Sequence, residues 1–226
     1  MKIESKAFIV LRALICAAAV WTATSAKAQV AYRFTLNTSP LIGASAGLFY
    51  LDFQLSDGSG AGDANNTAWL SNFQFGGGNS FGAVGGAGSF GGNLSSAVSL
   101  TDGSFFNEFY QAFTPGAWLQ FDLNLTTRVD SGSTPDSFAF AILDGTLSNL
   151  PTLSAGSDVF ASIDITSSSP TVRVFAGNGA MSPAAGGPPI VLAAPMVVPV
   201  PEPSTYGLAA TSTLLGLIVL RRRLRS

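Results

Sequence analysis

Residues 48–55 alternate without a break, with Phe49, Leu51, Phe53 and Leu55 on one side and Tyr50, Asp52 and Gln54 on the other. Side chains of an extended chain point to opposite faces with a period of two. The pattern therefore specifies a strand with one buried face and excludes an amphipathic helix. Residues 118–126 repeat it: Leu119, Phe121, Leu123 and Leu125 against Trp118, Gln120, Asp122, Asn124 and Thr126. Phe138, Phe140 and Ile142 share a face, as do Val159, Ala161, Ile163 and Ile165. Further strands are expected over 31–37, 68–75, 94–100, 105–113 and 171–175, separated by Gly, Asn, Asp, Ser and Pro. About nine short strands between turn signals predict an all-β chain, an antiparallel β-sandwich of jelly-roll type. A solenoid is the main alternative, but no fixed repeat period is visible. The expected core includes Phe53, Leu55, Phe121, Leu123, Phe140, Ile142, Ile163 and Ile165.

Both ends differ from this body. Lys2, Lys6 and Arg12 precede an apolar run over 13–23, and Ala26-Lys27-Ala28 forms a small-x-small site. Residues 1–28 thus read as a secretory signal peptide, cleaved after Ala28 to leave Gln29 first. At the other end Pro201-Glu202-Pro203 precedes 17 residues without a charge, 204–220, and then Arg221, Arg222 and Arg223. A helix of that length covers about 25 Å, enough to span a bilayer if the arginines snorkel. The arginines keep that end in the cytoplasm and the body outside. The expected helix occupies 206–220.

This tail, about an eighth of the chain, resembles the PEP-CTERM sorting domain of Gram-negative bacteria. The resemblance implies recognition by an exosortase, removal of the tail near the motif, and an association with exopolysaccharide and biofilm. It also implies an inner-membrane precursor that is delivered to the cell surface or the extracellular matrix. It says nothing of what the body does.

Between the signals lie a body, 29–177, and a Pro-, Ala- and Gly-rich stretch, 178–199, expected to be a spacer ahead of the sorting signal at 200–226. The body has no Cys, His or Lys, and its three arginines (Arg33, Arg128, Arg173) face eleven carboxylates, a net charge of −8. A surface so poor in cations argues against nucleic acid or anionic lipid as partner. Without His or Cys there is no Ser-His or Cys-His nucleophile, and zinc and copper lose their usual ligands. Calcium bound by carboxylates remains open, and so does hydrolysis of glycosides by a carboxylate pair.

Three candidate sites follow. Asp57 to Asp63, with Asn65 and Asn66 after it, reads first as a turn and second as a calcium loop. It fails the EF-hand pattern, because Ser59 and Ala61 stand where ligands belong. Tyr50, Trp118 and Phe160 fall on the polar sides of their strands beside carboxylates, as rings that stack on sugars would; the competing reading is that a loop covers them. Asp52 and Asp122 are the carboxylates a glycosidase would need, and solvated strand faces carry such residues without any chemistry. Residues 76–92, with nine glycines in 17 positions, lack the helix and lysine of a phosphate cradle and read as a flexible loop. The expectation is a non-catalytic exported module without an obligatory cofactor, structural or adhesive in role. The alternative is a carbohydrate-binding or carbohydrate-active module.

Overall fold

The computed structural model describes residues 28–58, 60, 62–180 and 189–201. The signal residue Ala26, the expected membrane helix 206–220, and Glu202, Pro203 and Arg221 to Arg223 lie outside the described residues. Among the described residues no helix is long and apolar enough to cross a membrane.

Twelve strands form among the described residues. They are β1 (Gln29–Asn37), β2 (Phe49–Ser56), β3 (Thr67–Gln74), β4 (Asn79–Ala87), β5 (Phe90–Gly92) and β6 (Ala97–Thr101) in the first half. β7 (Phe106–Thr114), β8 (Trp118–Thr126), β9 (Ser137–Leu143), β10 (Ala161–Asp164), β11 (Val172–Val174) and β12 (Met196–Pro199) complete the set. One sheet has the order β12-β1-β8-β3-β6-β5 and the other β11-β10-β9-β2-β7-β4, with every pairing antiparallel. The first four strands alternate between the sheets, so each connection crosses the open ends of the sandwich.

Alternation places the core where the sequence puts it. Phe53, Leu55, Phe121, Leu123, Phe140, Ile142, Ile163 and Ile165 are each no more than 1% exposed. Phe53 sits at the centre, its ring 5.2 Å from Phe121 of the opposite sheet and 5.5 Å from Phe140. Burying a side chain of this size contributes about 1.5–3 kcal/mol by transfer alone, and edge-on and stacked rings add to it.

Two stretches differ from expectation. The glycine-rich segment 76–92 is not a loop: most of it is β4 and β5. β4 pairs with β7 across a register shift between Ser80 and Val84, and Gly85 lies opposite Tyr110. A Cβ at Gly85 would run into the Tyr110 ring. Here glycine lets an aromatic lie flat on an edge strand, which composition alone reads as flexibility. Nor is the end of 178–199 a bare spacer. Leu192 is buried, its carbonyl accepts a hydrogen bond from Gly177 N at 2.9 Å, and β12 pairs with β1 in the register Phe34↔Val197. Val200 N then donates to Ala31 O at 2.8 Å. The fold thus continues to the threshold of the Pro-Glu-Pro motif. Proline closes this strand without cost, because β12 is at the sheet edge.

Candidate functional site

Three loops meet at one end of the sandwich: β2–β3, β6–β7 and β8–β9. Their Asp and Gly content is typical of turns, but together they gather five aspartates. Asp57, Asp102 and Asp136 are buried, whereas Asp63 is exposed and Asp130 half-buried. One carboxylate oxygen from each of Asp57, Asp130 and Asp136 lies within 4.8 Å of the others. Oxygens that share a calcium ion at 2.3–2.6 Å can be separated by no more than about 5 Å, so this trio has the dimensions of a calcium site.

The loops are built around these carboxylates. Asp57 accepts Gly60 N at 3.0 Å, Gly62 N at 2.5 Å and Asp63 N at 3.2 Å, so it curls its own loop. Asp136 accepts Gly58 N at 2.9 Å and Asn66 Nδ2 at 2.7 Å. Asn66 also donates its backbone N–H to both oxygens of Asp102 at 3.0 Å, and its side chain bridges to the Arg128 backbone. Asn65 Nδ2 ties Asp63 to Asp130. Asn65 Oδ1 and Asp130 Oδ2 are buried without a hydrogen-bond partner.

Crowding shows in the proton affinities. Burial, and then the neighbouring Asp136, push the Asp102 carboxyl up to about 7 despite the Asn66 N–H. Burial also raises Asp130, with further push from Asp136 and Asp63. Among the described residues the only two ion pairs, Arg33–Asp122 and Arg173–Asp164, lie elsewhere. A divalent cation would offset the repulsion among these carboxylates.

The calcium expectation thus places Asp57 in the trio, while Asp63 stands outside it and connects through Asn65. Asp130 and Asp136 were not singled out by sequence. Their stretch, Asp130-Ser-Gly-Ser-Thr-Pro-Asp136, carries the same turn composition as 57–63, but only the fold brings it beside residues some 70 positions earlier.

The aromatic face does not form. Phe160 is fully buried in the main core, 6.2 Å from Phe140. β10 starts only at Ala161, which pairs with Phe140, and Phe160 N donates to the same Phe140 O at 2.8 Å, so two successive residues stand opposite one and the alternation does not extend back to Phe160. Tyr50 lies on β2 and Trp118 on β8, in different sheets. Their inward neighbours Leu51 and Leu119 are buried in the shared core, so the two rings point away from each other. Tyr50 is half-buried, edge-on to Tyr110 at 6.0 Å, over a small outer cluster of Ala141, Leu143 and Val159. Trp118 is 37% exposed at the start of β8.

The same geometry separates Asp52 from Asp122, on the outer faces of opposite sheets. Asp122 is held ionised by Arg33, Nε to Oδ1 at 2.7 Å and Nη2 to Oδ2 at 2.8 Å, and its pKa is lowered by that hydrogen bond first of all. Asp52 is buried between Tyr110 and Ala141 in register, and burial raises it to about 8. The two cannot flank one glycosidic bond.

At the C-terminal end, β12 delivers the chain to Pro201 in extended form. Compared with known families, residues 199–223 match the PEP-CTERM protein-sorting motif. That match is consistent with an exosortase substrate, and it implies export with a membrane-anchored precursor before processing. No curated protein matches the chain, and no solved structure matches it.

Proposed function

We propose that the protein is a non-catalytic module of the cell surface or matrix, associated with exopolysaccharide in a biofilm and stabilised by calcium at its loop end. The sandwich is of jelly-roll type: β1-β8-β3-β6 faces β2-β7-β4, the order left when two Greek keys fold over one another. The sorting motif supports delivery outside the cell through an inner-membrane intermediate and an exosortase.

The observation that carries the calcium reading is the trio Asp57, Asp130 and Asp136, one carboxylate oxygen of each within 4.8 Å of the others and Asp130 Oδ2 buried without a hydrogen-bond partner. Calcium concentrations outside cells suit modest sites, with Kd on the order of 0.1–1 mM. At one to ten times that Kd, as millimolar calcium provides, a ligand stabilises the folded state by about 0.4–1.4 kcal/mol. Thermal unfolding of the chelator-treated chain, with and without millimolar calcium, tests this. A rise of several degrees with calcium, and none with the same ionic strength of sodium, is expected. An unchanged Tm in calcium would remove it.

The carbohydrate-active alternative has no such support. The carboxylates proposed for it, Asp52 and Asp122, sit on different sheets, and the body carries no histidine or cysteine to replace them.

A further inference from the structure

The outer face of the β11-β10-β9-β2-β7-β4 sheet is not flat. Over its central strands the outward residues are short. One register row runs Gln54, Ala139, Ser162, Arg173 across β2, β9, β10 and β11. The next runs Ser56, Ser137, Asp164. Serine and alanine along the rows, with Gln54, Arg173 and Asp164 as the longer side chains at their ends, leave a trough across four strands. Ser154, Ala155, Ser157 and Val159 line one side, and Phe175 lines it with Arg173. The trough holds about 460 Å³, within the range of about 300–1,000 Å³ typical of small-molecule sites.

Its chemistry is mixed in a specific way. The hydroxyls of Ser56, Ser137 and Ser162 make no hydrogen bond to other described residues and can donate and accept. Gln54 spends one amide proton on Asp52, at 2.6 Å, which fixes the orientation of its amide. Arg173 and Asp164 pair with each other, 55% and 37% exposed, so the trough carries fixed polarity without net charge. Phe175 and Val159 add apolar surface. Hydroxyls, an amide, a neutralised ion pair and one ring complement a ligand that is hydroxylated on its edges and apolar on a face. The body's net charge of −8 opposes a polyanion.

We infer that this trough binds a neutral saccharide, as a segment of a chain running across strands β2, β9, β10 and β11. The inference rests on the reading that the exported body meets polysaccharide, and it names the surface that does so. It replaces the Tyr50, Trp118 and Phe160 face, which the fold divides between two sheets and the core.

The test is calorimetric titration of the full chain in a sugar-free detergent with neutral gluco-, manno- and galacto-oligosaccharides, and with oligogalacturonate as the charged probe. Ser162→Leu fills the trough and should weaken binding of a neutral oligomer by at least about tenfold, equivalent to 1.4 kcal/mol. Arg173→Ala, which removes only an exposed pair, should weaken it too without altering Tm, and it serves if Ser162→Leu fails to fold. Thr35→Leu, on the outer face of the other sheet, should bind like the parent. Neutral binding unchanged in both trough variants would overturn the assignment of the trough while leaving the polysaccharide reading intact. Binding of oligogalacturonate alone would overturn the neutral class. Absence of binding to every oligomer would overturn both the trough and the polysaccharide reading.

Discussion

Arg33 and Asp122 stand directly opposite each other on β1 and β8 and close a two-point ion pair on the outer face of their sheet. Asn72 of β3 reaches the same carboxylate at 2.9 Å. It does so from a left-handed backbone position (φ 55°) inside the register shift between Ser71 and Gln74, a conformation that asparagine tolerates better than most residues. One carboxylate therefore fastens three neighbouring strands.

Asp122→Ala should destabilise the fold by roughly 1–2 kcal/mol. Hydrogen bonds to a charged group are worth about 1.5–3 kcal/mol, and the 45% exposure of Arg33 reduces this through solvent screening. The folded pKa of Asp122 is lowered, so its contribution is present above the unfolded pKa and is lost as pH falls through the folded one. Urea unfolding at neutral and at strongly acid pH should show the variant's deficit shrinking in acid. A deficit equal at both would mean that the ion pair contributes nothing.

Phe160 and Trp118 separate burial from exposure. Phe160→Ala empties part of the main core and should cost about 3–5 kcal/mol. Trp118→Ala, at a partly exposed strand start, should cost no more than about 1 kcal/mol. Equal losses by chemical denaturation would place Trp118 in the packed interior and contradict the separation of the two rings.

The strands that were legible in sequence are those with one wet and one dry side. β2, β8, β9 and β10 alternate because the core is on one side of them, and the eight core residues expected from that pattern, Ile165 just past β10 included, are all buried. β4 and β12 escaped notice for a different reason. Both are edge strands, and glycine or proline there satisfies packing and pairing demands that composition does not distinguish from a loop. Phe160 was misplaced because it and Ala161 both stand opposite Phe140, and that doubling breaks the period that sequence extrapolates through it. The aspartate cluster was legible only in its first loop, at Asp57 and Asp63 with Asn65 and Asn66, since Asp102, Asp130 and Asp136 join it through tertiary structure. The trough was not legible at all, because short outward side chains acquire meaning only when the register sets Ala139 beside Ser162.

Asp136→Asn tests whether the aspartate cluster is a cation site or a set of turns. In chelator the variant should be less stable than the parent by about 1–3 kcal/mol, because one of the two buried oxygens that accept Gly58 N–H and Asn66 Nδ2 becomes a donor facing a donor. In millimolar calcium the parent should gain stability and the variant should gain much less. Paired melting curves read this difference directly. A calcium increment that survives the substitution would move the ion elsewhere.

The last expectation concerns Asp52. Its Oδ2 accepts Gln54 Nε2 at 2.6 Å, while its Oδ1 is buried without a hydrogen-bond partner. Burial first, and then the charge of Glu108, raise the carboxyl to about 8, against the opposing pull of the Gln54 donor. A folded pKa above the unfolded one means that the native state holds a proton that the unfolded chain has released. The stability linked to that proton is fully present below the unfolded pKa. It declines as pH rises between the two values, at a slope approaching about 1.4 kcal/mol per pH unit, and is gone once pH passes the folded value. Asp52→Asn keeps the shape, retains an acceptor for Gln54 and removes the titration. The variant should match the parent near pH 4 and exceed it increasingly toward pH 8, as measured by urea midpoints across that range. A gap that stays constant from pH 4 to pH 8 would show that Asp52 ionises in the folded state as readily as in water, and that its place between Tyr110 and Ala141 is wetter than the packing indicates.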